Sequence, residues 1–339
     1  MSHLINVCLI GAGRAGMLHA RNFKSQVPHA RMVAVSDPME QACKNACEEL
    51  GISKYYLDYK DAFQHDNGIN AVIVVAPTKY HKQIVVDCAN AGKHIFCEKP
   101  MAITVEECDE ILDAVQVNNV KLQIGFMRRF DESFRKAKEV IDSGEIGDIV
   151  HIRSLTRGPS KPMEWMYNIE QSNGPLAEVS SHDIDCIRWF AGSEIESLYA
   201  IAGNFRNKEI VSEYPDFYDN VVVTGTLKNH IQFTIEGSQY VEYGYDSRVE
   251  VLGTKGVVFI GRNDAYDFKI VSVQSGSRTP FITSWTTLFK DAYLKEDIAF
   301  IECIINDTEP IATGLDGKMA VAVVKAGNQS IKEKKVIKI

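Results

Sequence analysis

The run Gly11-Ala12-Gly13-Arg14-Ala15-Gly16, directly after the apolar segment Ile5-Asn6-Val7-Cys8-Leu9-Ile10, constrains this chain more than any other feature. A short apolar run ending in glycine reads as a buried parallel strand, and residues from about Arg14 to Lys24 read as the helix that follows. Each glycine has its own task. Gly11 permits the tight turn, Gly13 lets the backbone approach a pyrophosphate, and Gly16 allows the helix to pack close on the strand. The helix N-terminus then offers N–H groups and the positive end of its dipole to phosphate. Asp37 ends the second strand, Met32-Val33-Ala34-Val35-Ser36, 21 residues beyond Gly16. An acid at that distance completes the pattern of a dinucleotide-binding unit.

Asp37 also sets which dinucleotide is expected. A carboxylate there accepts hydrogen bonds from the adenosine ribose and repels a 2′-phosphate, and no arginine sits beside it, so NAD is expected over NADP. The same carboxylate is placed to cap the helix that Pro38 starts, and the two roles are compatible.

The alternation continues along the chain. Ala71–Ala76 and His94–Cys97 read as further strands, with helices from about Lys79 to Ala91 and after Thr104, which is backed by Glu107 three residues on. Leu122–Phe126 closes the series. Strands alternating with helices imply a parallel sheet with right-handed crossovers. Cys97-Glu98-Lys99-Pro100 puts a lysine at the end of a later strand, at the edge where such sheets hold the reactive end of their cofactor. After about Gly147 the pattern changes to period two, in Ile231–Ile235 and Val249–Leu252, with Gly253–Gly256 separating the latter from Val257–Ile260 as in a hairpin. The fold class expected is α/β: a Rossmann dinucleotide-binding domain, residues 1–123, followed by an α/β domain with a largely antiparallel open sheet, residues 124–339. Asp131–Ser143 is expected as a helix of the second domain, and about Asp316–Lys332 as a late one. Without a linker between the domains, the cleft between them is the expected site.

Composition removes several classes. A length of 339 residues suits two domains, and 45% hydrophobic with 24% charged residues is ordinary for a globular chain. The net charge of −8 argues against a nucleic-acid or anionic-membrane partner. Lys332, Lys334, Lys335 and Lys338 read as a solvated terminus. No signal-peptide pattern opens the chain and no apolar run reaches the roughly 20 residues of a membrane span, so a cytoplasmic protein is expected. The eight cysteines lack metal-ligand spacing and read as reduced, buried thiols, with no metal site.

Three ordered motifs resemble a known family. Cys97-Glu98-Lys99-Pro100, Gly125-Phe126-Met127-Arg128-Arg129-Phe130-Asp131 and Ser181-His182-Asp183-Ile184-Asp185 are similar to those of the glucose–fructose oxidoreductase and inositol dehydrogenase family. Tyr243-Gly244-Tyr245-Asp246 followed by Val251-Leu252-Gly253 resembles its second domain, and the whole looks closest to bacterial inositol 2-dehydrogenases. The resemblance implies NAD-dependent oxidation of a secondary ring hydroxyl on a cyclitol or sugar. It places Lys99 beside the nicotinamide and the reacting hydroxyl, and makes His182 the general base. Glu178 stands where the family usually has an aspartate, one methylene shorter. A neutral imidazole, with an unperturbed pKa of about 6.5, takes the hydroxyl proton, and an ammonium stabilises the developing alkoxide. Glu178 and His182, four residues apart, would share a helix face, which lets the carboxylate orient the ring.

The cofactor is expected against Gly11, Ala12, Gly13, Arg14 and Ala15, against Asp37, against Ala76, Pro77, Thr78 and His81, and against Glu98, Lys99 and Arg128. The substrate is expected against Lys99, Arg129, Trp165, Glu178, His182 and Tyr245. Two readings of Arg128 and Arg129 stand open, contact with substrate or cofactor and a domain-interface ion pair. Trp165 and Tyr245 are either a stacking wall for a ring substrate or core aromatics. The family commonly uses its free sheet face to form dimers and tetramers, so a homo-oligomer is expected. The segment Arg157–Gly174 departs most from the inositol enzymes. The same chemistry on another polyol, a glycosidase that retains its NAD, and a non-catalytic sensor remain as alternatives.

Overall fold

The computed structural model describes residues 4–65, 68–266, 268–274 and 276–339. The chain divides into two compact units, Met1–Phe130 with Asp291–Lys318, and Asp131–Lys290 with Met319–Ile339. The division therefore falls after Phe130 instead of Gln123, and a late segment expected in the second domain groups with the first. The reason is burial. The helix Lys290–Ile305 places Phe300, Ile301 and Cys303 in the same apolar cluster as Val7, Leu9 and Phe96. Beyond it, the Ile124 N–H donates to the Ala312 carbonyl at 3.0 Å, and Gln123 bridges Thr313.

In the first unit, strands β1 (Ile5–Ile10), β2 (Ala30–Ser36), β3 (Tyr55–Tyr56), β4 (Ala71–Val74), β5 (His94–Cys97) and β6 (Leu122–Ile124) form one sheet. Their order is β3-β2-β1-β4-β5-β6 and every pairing is parallel. Helices α1 (Arg14–Ser25), α2 (Glu40–Leu50), α3 (Tyr59–His65), α4 (His81–Asn90) and α5 (Val105–Val117) link the strands. Thr104 and Glu107 close the reciprocal capping box at the start of α5. The strand order reverses between β1 and β4. The carboxyl ends at such a switch point form the crevice in which doubly wound sheets bind ligands, and here they lead into Gly11 and Val75.

In the second unit, β7 (Ile149–Gly158), β8 (Ile195–Gly203), β9 (Asn220–Leu227), β10 (Gln232–Gln239), β11 (Asp246–Gly253) and β12 (Val257–Ile260) share a sheet with the terminal β15 (Ile337–Lys338). A separate two-stranded ribbon joins β13 (Ile270–Ser272) to β14 (Gly276–Arg278). The large sheet runs β12-β11-β7-β10-β9-β8-β15, antiparallel throughout except for β7 on β10. The helix Glu132–Asp142 is capped by Asp131, whose carboxylate accepts the Ser133 and Phe134 N–H groups. The helix Ser181–Ala191 packs on one face of β7. Among the described residues no helix is long and apolar enough to cross a membrane.

Candidate active site

The glycine turn follows β1 with the geometry its sequence requires. Gly11 has φ +101°, and a Cβ there would stand 2.5 Å from the Val75 carbonyl oxygen. A Cβ on Gly16 would come within 2.0 Å of the Gly11 carbonyl oxygen, so only glycine lets α1 sit this close to the turn. Gly13 is different: a Cβ there would meet nothing within 4 Å. Space is open in front of it, where α1 begins without a side-chain cap. First-turn N–H groups of an α-helix have no intrahelical acceptor. A pyrophosphate fits that cradle.

Asp37 is held rather than loose. Its Oδ2 accepts the Ala12 N–H and its Oδ1 accepts the Met39 N–H, both at 2.8 Å. The first bond fixes the carboxylate to the glycine turn. The second lies ahead of α2, whose N-cap is Met39, so Asp37 braces the approach to that helix instead of capping it.

On the other side of the switch point, Ala76 and Pro77 lead into a 3₁₀ turn, Thr78–Tyr80. The buried His81 ring lies between two carbonyls, with Nε2 2.6 Å from the Ala76 oxygen and Nδ1 2.8 Å from the Pro100 oxygen. Burial pushes His81 below the ordinary histidine range. A neutral ring donates to one of these carbonyls in each tautomer, which ties the turn after β4 to the residue following Lys99.

Lys99 is half-buried at the end of β5 and is joined to Pro100 by a cis peptide bond. The buried Glu98 carboxylate accepts the Lys99 main-chain N–H on Oε2 at 3.0 Å. Arg128 is buried. Arg129 pairs with Asp316 at 2.8 Å and donates Nη1 to the Ile311 carbonyl at 2.8 Å. Asp316 and Ile311 belong to the same compact unit as Arg129. The structure thus shows Arg129 in an ion pair that lies within one unit and does not join two domains. A buried guanidinium needs a compensating carboxylate, and Asp316 supplies it.

In the second unit, the helix Gly174–Glu178 stops at Glu178, with Val179 as its C-cap. The helix Ser181–Ala191 begins only after Ser180. Glu178 and His182 are therefore on consecutive helices, not on one face of a single helix as expected. His182 is buried, and its neighbour Asp183 fixes the helix: Asp183 Oδ1 accepts the hydroxyls of Ser154 at 2.6 Å and Thr156 at 2.9 Å. Trp165 is half-buried and lines an open concavity of about 540 Å³ with Met163, Glu164, Asn168, Gln171 and Tyr214. Tyr245 is buried and meets Phe289 edge-on, ring centroids 6.3 Å apart. Trp165 and Tyr245 have different surroundings in this unit, one a concavity and one the core.

Sequence reasoning passed over His19, Asn22 and Asp297. The His19 ring is fully buried, with Nδ1 2.7 Å from Asp297 Oδ1 and Nε2 3.2 Å from Glu98 Oε1. Asn22 donates to Asp297 Oδ2 at 2.8 Å. His19 lies three residues beyond Gly16 on the buried side of α1, the one local signal available; its partner is 278 residues away.

Residues 5–126 match the model of an oxidoreductase family with an NAD-binding Rossmann fold, and residues 134–259 match the GFO/IDH/MocA C-terminal domain. Scyllo-inositol 2-dehydrogenase (NAD(+)) of Bacillus subtilis is 35% identical over 332 residues, 98% of this chain and 95% of that one. Myo-inositol 2-dehydrogenase of Thermotoga maritima is 32% identical over 335 residues, 99% of this chain and 98% of the relative. The crystal structure of scyllo-inositol dehydrogenase from Lactobacillus casei, with bound NAD(H) and scyllo-inositol, superposes with a TM-score of 0.91. It is 30% identical and covers 98% of each chain.

The glycine turn yields a direct test. Gly16→Ala forces α1 away from the Gly11 carbonyl and lowers the unfolding free energy by about 1–3 kcal/mol. Gly13→Ala, with open space ahead of it, changes it by about 0.5 kcal/mol or less. Urea denaturation midpoints of the two variants measure the contrast.

Proposed function

The chain belongs to the GFO/IDH/MocA family of oxidoreductases, and from that premise we propose that it is an NAD-dependent inositol dehydrogenase. It oxidises a secondary ring hydroxyl of the cyclitol to a ketone. One observation carries this reading. A glycine turn braced by Asp37 and a lysine at the carboxyl edge of the same parallel sheet occur in a chain that aligns over nearly its full length with inositol dehydrogenases.

NAD held against the glycine turn would supply the acceptor for the hydride of the carbinol carbon. The remaining steps belong to this chain. The Lys99 ammonium stabilises the oxygen as its charge grows, and the His182 imidazole takes the hydroxyl proton. Glu178 orients the imidazolium that forms and offsets its charge, reaching from the end of its own short helix with one more methylene than an aspartate. Asp37 accepts the ribose hydroxyls and rejects a 2′-phosphate. Two anions about 4 Å apart repel by about 4 kcal/mol at an effective dielectric of 20, and solvent access reduces that.

The same reading includes a cytoplasmic dimer or tetramer. All eight cysteines are buried and free, which suits a reducing compartment. The face of the large sheet away from the Ser181–Ala191 helix carries a cross-strand row of Ile201, Val222, Glu236 and Leu155. Ile201 and Val222 stand 61% and 41% exposed, and Phe259 on β12 is 72% exposed. Arg153 and Arg157 pair with Glu236 beside them. Exposed apolar side chains set beside paired charges are the composition of a protein interface.

Lys99→Ala and His182→Ala each lower kcat by roughly 10²–10⁴ in steady-state assays of NADH formation from inositol. Near-wild-type turnover in either variant removes that residue from the chemistry. With His182 as base, kcat/KM for oxidation rises with pH through a single ionisation and then levels. A profile flat across the histidine range points to another base. Asp37→Ser weakens NAD and improves NADP, lowering the ratio of their kcat/KM values by at least about tenfold, or roughly 1.4 kcal/mol; an unmoved ratio removes the cofactor assignment. Ile201→Glu combined with Val222→Glu converts the assembly to smaller species in sedimentation, and an unchanged distribution places the interface elsewhere.

A further inference from the structure

The buried His19 array lies directly beneath the Lys99 turn, and the reaction as described does not use it. Two carboxylates flank one ring. Asp297 comes from the helix Lys290–Ile305, Glu98 from the end of β5, and His19 from α1. Each ring nitrogen faces a carboxylate oxygen, and a ring that donates to both carboxylates is an imidazolium. Burial alone would lower the His19 pKa. Asp297, and after it Glu98, override that and raise it well above the ordinary value. Asp297 is itself raised, by burial. The ring sits between Phe96 and Tyr293, centroids 4.9 and 5.5 Å away. The titratable groups facing it are therefore Asp297, Glu98 and Tyr293.

Stability alone accounts poorly for such an array, because buried ion pairs are often replaceable by apolar groups of equal volume without loss. The connectivity accounts for it better. Glu98 Oε1 takes the His19 Nε2–H, and Glu98 Oε2 takes the Lys99 main-chain N–H. A Cβ on Gly125 would lie 2.9 Å from the Glu98 carboxyl carbon, so the carboxylate is walled in on that side. Asn22 holds the far oxygen of Asp297. We propose that His19, gripped by Asp297, is a positioning residue that fixes Glu98 and through it the main chain of Lys99, joining the cofactor-binding helix to the lysine turn as one rigid part. This rests on the reading that Lys99 acts on the reacting hydroxyl. A displacement of about 1 Å at a reacting group costs on the order of 10²-fold in rate. Loss of the ring proton would leave a bare nitrogen against a carboxylate and release the turn.

The test is a double-mutant cycle with a pH readout. His19→Gln breaks half of the array, and it lowers kcat about 10- to 100-fold in the intact chain. In the Lys99→Ala background it changes kcat less than about twofold, because the group it positions is gone. Asp297→Asn keeps an acceptor for Nδ1 but removes an anion, so the ring loses its proton at lower pH. The ratio of its kcat to that of the wild type then falls as pH rises, and this variant carries the test if His19→Gln does not fold. Equal losses in both backgrounds, or a ratio flat with pH, reduce the array to a structural ion pair and overturn the proposal while leaving Lys99 in place. Near-wild-type turnover of Lys99→Ala alone overturns both.

Discussion

The approach of the β1 turn to β4 governs the first unit. With Gly11 against the Val75 carbonyl and Gly16 against the Gly11 carbonyl, backbone meets backbone where a side chain would stand at 2.5 and 2.0 Å. No rotamer adjustment relieves a contact between main-chain atoms, so a larger residue moves the helix. The direction of α1, its first-turn N–H groups and the Ala12 N–H that holds Asp37 all follow from that packing. Asp37 is thus oriented by the glycine turn itself.

Buried charge is the second organising force, and it acts separately in each unit. In the first, Arg129 is held by Asp316, and His19 by Asp297 and Glu98. In the second, Arg188 forms a two-pronged pair with Glu194, at 2.7 and 2.6 Å. Asp219, fully buried, accepts the Phe205 and Arg206 N–H groups. Removing one partner of such a set leaves a charge stranded and costs about 3–5 kcal/mol. These groups determine which loops meet which strands more than they add net stability. Asp183 orients its helix too, since two hydroxyls from β7 that it accepts set the rotation of the His182 helix.

Much of the parallel sheet was legible locally. The apolar runs Ile5–Ile10 and His94–Cys97 form strands with those bounds, and Thr104 with Glu107 caps α5 as their spacing implies. Tyr55–Tyr56 escaped notice because two residues make no periodic pattern. The helix Lys290–Ile305 escaped for the opposite reason. It buries polar Glu296 and Asp297 among its apolar residues, which blurs the helical stripe. The break at Val179 and Ser180 carries neither proline nor glycine, so an uninterrupted helix from Glu178 to His182 was the natural reading.

By itself, the sequence determined the dinucleotide-binding unit, the placing of Asp37 and Lys99 at the carboxyl ends of strands, and the change from period 3.6 to period 2 beyond Gly147. All of these are set by residues within a turn or a strand of one another. Tertiary structure alone decided that residues 291–318 return to the first unit, that Arg129 answers to Asp316, and that His19 lies between Asp297 and Glu98. Those outcomes depend on where a buried charge finds its counter-charge across as many as 278 residues of chain. A guanidinium or carboxylate is recognisable in a sequence, but its partner is chosen by the low dielectric of a core that exists only once the chain has folded.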